Sequence, residues 1–497
     1  MRTRTAVAAM TLGLLHPVAQ ATNGYFSHGY GIAQSAMGGA GTALPSDSLI
    51  AAINPAGVAW TGDRLDFSLG YFAPRRGYDA SERGEDANVG VFTIDPNSST
   101  TVSRNTFYLI PAFGLTRTIN DRLSWGVAMY GNGGLNTEYD QGSARFGQGL
   151  PGFATQCNGT FGGGAPINGA SDALSFCGDA NPIAGVDLIQ VFIAPSLSMK
   201  LGDKSSIGIE PLIAVQRFKA TGLEAFARFS NAPDKVTDNG SEFSYGYGGR
   251  IGFLTGIIPR VGIGGSYQTR TRMTRFKKYK GLFAEQGSFD IPSTWNVGIS
   301  LEVTENQRLV YDFQRINYGE ISSINNRFDT NAFTNNCALP RLLQGSTAPN
   351  DACLGASTGP GFGWQSISIH KIGYQLKFAA FTFRTGYSFT DQPIPDSEAL
   401  FNILAPGVPR RHYTGGVSWQ ASRKIGFDLN FFYAAPNPVT GKNNLSNSTA
   451  NALEIAGGGL LGAGDTSDAF GSDANDQDIR INLHEWEARL GLSYRFE

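Results

Sequence analysis

The chain has 497 residues and a formal net charge of −2, from 39 Lys and Arg against 41 Asp and Glu. Charged residues make up 16% of it, below the roughly 25% usual in soluble domains, whereas Gly (64 residues) and aromatics (11%) are plentiful. This balance gives no electrostatic case for nucleic acid or an acidic polymer, and past residue 21 no apolar run is long enough for a transmembrane helix.

The N-terminus places Arg2 and Arg4 before an apolar run from Ala6 to Leu15, and Ala19-Gln20-Ala21 has the small-x-small form that signal peptidase accepts. Residues 1–21 therefore read as a secretory signal, and the mature chain would begin at Thr22. An exported product is periplasmic, secreted, or a barrel in the outer membrane. Export also exposes thiols to oxidation. Cys157 with Cys177, and Cys337 with Cys353, lie in pairs within two long loops, so two loop-stapling disulfides are expected.

Residues 22–60, "TNGYFSHGYGIAQSAMGGAGTALPSDSLIAAINPAGVAW", fit no strand. The segment is rich in small residues and too long and apolar for a solvated tail. It has the size to fold back and fill a lumen.

From residue 64 onward a period of two dominates, the mark of a strand with one apolar and one polar face. "RLDFSLGY" puts Leu65, Phe67, Leu69 and Tyr71 on one side. "LSWGVAM" aligns Leu123, Trp125, Val127 and Met129, and "KIGFDLNFFY" aligns Ile425, Phe427, Leu429, Phe431 and Tyr433. The closing "HEWEARLGLSYRFE" sets Trp486, Ala488, Leu490, Leu492, Tyr494 and Phe496 against Glu485, Glu487, Arg489, Ser493 and Arg495. Strands are expected near 64–73, 104–118, 121–131, 186–200, 204–221, 242–257, 259–276, 288–303, 306–320, 365–378, 379–390, 410–420, 423–434 and 484–496. Their connections alternate between tight turns (119–121, 202–204, 258–260, 304–306, 421–423) and long polar loops (132–185, 222–241, 321–364, 391–409, 435–483). Outer-membrane barrels have short periplasmic turns, long external loops and an even strand count. The expected fold is thus all-β, a 14-stranded antiparallel transmembrane β-barrel with the apolar set toward lipid. Every backbone group is then paired around a closed sheet, as hydrocarbon demands.

Three stretches in this order resemble the FadL/TodX (OmpP1) family of outer-membrane transporters of long-chain fatty acids and hydrocarbons. They are "GYGIAQSAMGGAGTALPSDSLIAAINPAGVAW" with its Asn54-Pro55-Ala56 triplet, "GGLNTEYD" (133–140) and "FRTGYSFTDQPIP" (383–395). The resemblance covers nearly the whole mature chain. It implies an N-terminal hatch (22–62) plugging the lumen of a barrel (63–497). It also implies passive uptake without a cofactor: capture outside, binding in the lumen, and sideways exit at a kink of the third strand. A monomer is implied as well, with a hydrophobic small molecule as ligand and outer-membrane lipid and lipopolysaccharide as surroundings.

Gly133 and Gly134 sit where the family's kink lies, and glycine permits such a bend. Asn54 is expected to hydrogen-bond across to the kinked strand while Pro55 fixes the local turn. A carboxylate ligand would want a cation in an apolar pocket. Arg217 and Lys219, near the family's basic contacts, and Arg384 are the candidates, against the plainer reading of lumen charges met by acidic neighbours.

Two departures stand out. The loop "KYKGLFAEQGS" is shorter than the family's, which weakens the case for an external groove. No lysine stands near the start of the tenth strand at "FGWQSISIH", which favours a neutral hydrocarbon over a fatty acid. Signals for other chemistry are weak. Gly457, Gly459 and Gly462 in "GGGLLG" lack a strand–helix unit; "DTSDAFGSDANDQD" (465–478) does not have EF-hand spacing; the histidines show no zinc pattern; and no G-x-S-x-G motif supports a hydrolase. Neither a catalytic residue nor a metal site is expected. The leading expectation is uptake of long-chain fatty acids. A hydrocarbon transporter of the same fold, a diffusion porin, an outer-membrane lipolytic enzyme and export remain alternatives.

Overall fold

The computed structural model describes residues 23–81, 90–94, 99–140, 144–148, 183–338, 340–341, 345–443, 445 and 477–496. The expected signal sequence, Cys157, Cys177, the glycine run at 457–462 and residues 465–476 lie outside these ranges.

Fourteen long strands close one antiparallel barrel. They are β1 (Arg64–Ala80), β2 (Tyr108–Thr118), β3 (Leu123–Tyr139), β4 (Ala184–Lys200), β5 (Ser205–Thr221), β6 (Glu242–Ile258) and β7 (Val261–Gln268). Then follow β8 (Thr294–Thr304), β9 (Gln307–Ile316), β10 (Ile367–Phe378), β11 (Phe381–Thr390), β12 (Arg411–Gln420), β13 (Ile425–Ala434) and β14 (Asp478–Arg495). Each pairs with its sequence neighbours, and β1 pairs with β14 from Arg64 opposite Arg495 to Ala80 opposite Ile479. Three short pieces, Thr101–Val102, Arg272–Met273 and Val439–Lys442, extend the same sheet. The strands β1, β3 and β14 outrun their expected ends because pairing between neighbours continues above the apolar belt.

The two faces separate as the period of two requires. On β13, Ile425, Phe427, Leu429, Phe431 and Tyr433 are exposed outward; on β8, Trp295, Val297, Ile299 and Leu301 are. On β14 the opposite set, Glu485, Glu487, Arg489 and Ser493, is buried. A soluble sheet would reverse this, so the outer solvent is hydrocarbon. The short turns, among them 259–260, 305–306 and 379–380, lie at the end that also carries the start of β1 and the end of β14.

The lumen holds residues 23–62, which are buried almost throughout. A helical turn (Ile32–Ser35) and two 3-10 turns (Ser48–Ala52, Pro55–Trp60) give the segment its shape. Polar side chains from the wall hold it all round. The Asp312 carboxylate of β9 accepts from the Gly41 N–H (2.8 Å), the Thr42 N–H (2.9 Å) and the Thr42 hydroxyl (2.8 Å). Ser198 of β4 and Ser206 of β5 both donate to the Ala56 carbonyl (3.0 and 2.8 Å), and Arg250 of β6 donates to that of Ala51 (3.0 Å). Arg489 of β14 donates to the Tyr30 carbonyl and the Ser35 hydroxyl. Buried polar groups need such partners, and they are worth more satisfied in a dry lumen than in water.

Candidate functional site

Among the described residues the wall is broken between β2 and β3. Strand β2 pairs with β1 as far as Tyr108 opposite Phe72, and β3 pairs with β4 as far as Tyr139 opposite Ala184. Yet the ladder between β2 and β3 stops at Phe113 opposite Met129. Above that rung the two strands part. The cause lies in β3, where the register against β4 shifts between Gly131 and Gly133 and Asn132 is the extra residue. A bulge of one residue exchanges the faces of everything beyond it. Tyr130 points into the lumen below the bulge, whereas Leu135 and Tyr139 do so above it.

The freed edge of β3 is taken by the start of the lumenal segment. Phe26 bridges Gly133, the Ser27 N–H donates to the Asn132 carbonyl (2.9 Å), and the Gly134 N–H donates to the Tyr25 carbonyl (3.0 Å). A Cβ on Gly133 would lie 1.7 Å from the Tyr25 carbonyl oxygen, so glycine is required there for the approach. The Asn132 side chain accepts from the Tyr30 hydroxyl (3.0 Å) and donates to Gln190 (3.0 Å).

The break is filled by side chains rather than backbone pairs. Phe72, Tyr108 and Ile110, from the inner faces of β1 and β2, cluster with Ile189 and Val191 of β4. At the outer end the Tyr108 hydroxyl bonds the Asn136 amide (2.5 Å), Asn105 donates to both Asn136 and Glu138 (2.9 Å each), and Arg104 pairs with Glu138.

One cavity lies among the loops at the outer end and another beside the plug at the opposite end. The outer one, 70 Å³, is lined by Val186 of β4, Phe218 of β5 and loop residues that include Phe226, Leu282, Phe283 and Phe401. Among the described residues no charged side chain lines it, and Ser323 supplies the one polar side chain. A disulfide joins Cys337 to Cys353 (S–S 2.00 Å), beside Leu354 in the pocket lining. Its loop is tied down further by the Leu354 N–H donating to the Phe229 carbonyl (2.9 Å). The short loop after β7 thus still contributes Leu282 and Phe283. The inner cavity, 360 Å³, lies at the end with short turns and is charged. Its lining includes Arg64, Lys377, Arg384 and Arg495 together with Asp66 and Asp428.

The structure corrects several sequence expectations. Arg217 and Lys219 do not face the lumen: on β5 the buried inner set is Leu212, Ala214, Gln216, Phe218 and Ala220, so both cations point outward. Arg217 meets Asp187 of β4 at 2.5 Å on that outer face. Arg384 faces inward but bonds Gln375 (2.8 Å) and Ser418 (2.5 Å) in the inner cavity, away from the apolar pocket. Asn54 does not reach β3. Its amide donates to the carbonyls of Phe253 on β6 and of Thr42 (2.9 Å each), and it caps the turn that Pro55 begins by accepting from the Ala56 N–H (3.1 Å). The contact with β3 is made by Tyr25–Ser27 instead. Sequence reasoning missed Asn132, although an Asn among the glycines of "YGNGG" is a bulge signal in an otherwise alternating strand. It also missed Tyr108 and Asn136, whose roles exist only because two strands separate.

Residues 18–151 match the family described as outer membrane protein transport protein (OMPP1/FadL/TodX). No curated protein sequence matches the chain. Among solved structures it resembles the Pseudomonas putida toluene transporter TodX, at 15% identity over 96% of this chain and 100% of that one, with a TM-score of 0.59. It also resembles a Pseudomonas aeruginosa FadL homologue (14% identity, 95% and 100%, 0.59) and the Ralstonia pickettii toluene transporter TbuX (15%, 95% and 99%, 0.51). At these identities the likeness is one of fold. The family model thus matches the plug and the first strands, and the likeness to solved structures shows a barrel of the same fold over nearly the whole chain.

Proposed function

We propose that this barrel takes up hydrophobic compounds passively, with residues 22–62 as a hatch and the break between β2 and β3 as a lateral exit into the membrane. The observation that carries this reading is the interrupted ladder, since β2 and β3 part above Phe113 while both neighbouring ladders continue. The apolar outer pocket supplies capture. Leaving sideways spares the cargo rehydration, the dominant cost for apolar surface. Gly133, with Asn132 and the Tyr25–Ser27 bridge, links the hatch to the exit, so displacement of the hatch frees the seam. Gly134 donates to the same bridge. The triplet Asn54, Pro55 and Ala56 anchors the hatch to β4, β5 and β6.

For the cargo, long-chain fatty acids are the reading that family resemblance favours. A neutral hydrocarbon is the second reading, and one observation favours it: among the described residues the outer pocket is lined by no cation, and Arg217 and Lys219 do not face the lumen. Uptake of radiolabelled oleate and of toluene, in cells carrying this barrel as their one such transporter, tests both. Loss of uptake on replacing Gly133 and Gly134 by Val, with normal barrel assembly, supports lateral exit. Toluene uptake without oleate uptake selects the hydrocarbon. Uptake of neither above cells without the barrel retires the transport reading.

A further inference from the structure

Other buried charges of the lumen are directly paired or bonded to the hatch. Arg250 meets Glu210 at 2.6 Å, Arg489 meets Glu487 at 2.7 Å, and Arg64 meets Asp66 at 2.6 Å. Arg76 of β1 and Glu485 of β14 differ. Pro74 stands opposite Glu485 and Arg76 opposite Leu483, so the two are diagonal neighbours on the inner face, within reach of long side chains. They are 3% and 0% exposed. Even so, both terminal nitrogens of Arg76 and both carboxyl oxygens of Glu485 lack a hydrogen-bond partner among the described residues. Buried ionic groups are costly unless hydrogen-bonded, so this pair suits a further polar group.

Its location says what such a group would be attached to. The Arg76 guanidinium lies 5.7 Å from the ring centre of Tyr108, whose hydroxyl spans the break in the wall. Phe72 and Ile110 continue the apolar lining on the same inner faces. A hydrophobic molecule lying along that lining would carry its polar end to Arg76. Guanidinium only donates and ionised carboxylate only accepts. A group that satisfies both must accept from Arg76 and donate to Glu485, which an O–H does. An alkane offers neither function, and an ionised carboxylate would face the charge of Glu485.

We infer that Arg76 and Glu485 receive the hydroxyl-bearing end of a hydrophobic cargo (an alcohol, a phenol or an undissociated carboxylic acid) at the seam between β2 and β3. The inference rests on the lateral-exit reading above and sharpens its substrate class.

The test is native mass spectrometry of the purified full-length barrel, released from non-ionic detergent after equilibration with 1-dodecanol or with dodecane. Wild type, Arg76→Met and Glu485→Gln are compared, each first checked for heat-modifiable migration as a closed barrel. Either substitution is expected to weaken dodecanol binding about tenfold, the worth of one or two hydrogen bonds to a charged group, and to leave dodecane binding within about twofold. Arg76→Lys, which keeps a donor, should recover part of the loss. Equal losses for both ligands would make the pair structural, and no loss for either would leave it bridged by water; each result overturns the inference. Cellular uptake of labelled dodecane separates this inference from the reading beneath it. If wild type and variants take up dodecane alike while dodecanol binding is unaffected, transport stands and the polar site falls. If wild-type cells take up neither ligand, the transport reading falls first.

Discussion

The outer and inner cavities of this barrel are built to opposite chemistry. The outer one is lined by Phe226, Leu282, Phe283, Phe401 and other uncharged residues. The inner one collects Arg64, Lys377, Arg384 and Arg495 beside Asp66 and Asp428. Apolar surface gains about 25 cal/mol per Å² on leaving water, so a hydrophobic molecule held outside loses that gain if it continues straight down. Under the proposed lateral route the charged inner cavity is the less favourable way out, and the interrupted ladder between β2 and β3 offers the alternative. Straight passage would need an inner cavity as apolar as the outer one.

The comparison can be broken most severely by removing the partition between the cavities. Gly208 of β5 faces the hatch so closely that a Cβ would stand 2.4 Å from the Ala56 nitrogen and 2.4 Å from the Pro55 carbonyl carbon. Gly208→Val is expected to push the Asn54-Pro55-Ala56 turn off the wall and strip the Ser198 and Ser206 hydrogen bonds to Ala56. Losing those bonds and overpacking the site together cost about 3 kcal/mol or more. Planar-bilayer recordings should then show steady ion conductance where wild type is closed, and a silent, properly assembled variant would argue against the hatch. A smaller effect comes from making the outer pocket resemble the inner one. Phe283→Asp buries a carboxylate without a partner, and uptake of toluene or oleate should fall about tenfold or more. Unchanged uptake would remove this pocket from the route. The smallest effect is expected from the opposite change. Arg384→Gln together with Lys377→Gln reduces the charge of the inner cavity, and uptake should stay within about twofold if the cargo leaves by the proposed lateral route. A severalfold rise would point to direct exit into the periplasm.

Much of the barrel could be read before any coordinates because the two solvents impose their pattern on every strand. At the C-terminus Glu485, Glu487 and Arg489 alternate with Trp486, Ala488 and Leu490, and each set lies where that alternation requires. The strand β5 was less legible. "PLIAVQ" (211–216) has apolar residues on both faces, so nothing local says which set turns inward, and a one-residue ambiguity sends Arg217 and Lys219 to the opposite side. Register against β4, where Asp187 stands opposite Lys219 and Ile189 opposite Arg217, settles it. The seam was legible in part. Gly133 and Gly134 marked the right turn of chain, but the extra residue is Asn132, because a bulge is defined by which rungs the partner strand skips.

By itself, then, the sequence determined the closed sheet, its strand count, the side each clear dyad faces and the presence of a segment without a strand's period. Those follow from local alternation between lipid and lumen, which every strand carries independently. Tertiary structure alone decided where the ladder opens, what takes its place, and which charges share a cavity. Those depend on residues hundreds of positions apart, as when Tyr318 donates to the Asn23 carbonyl or Asp312 gathers the Thr42 donors. No periodicity in one strand encodes its distance to another.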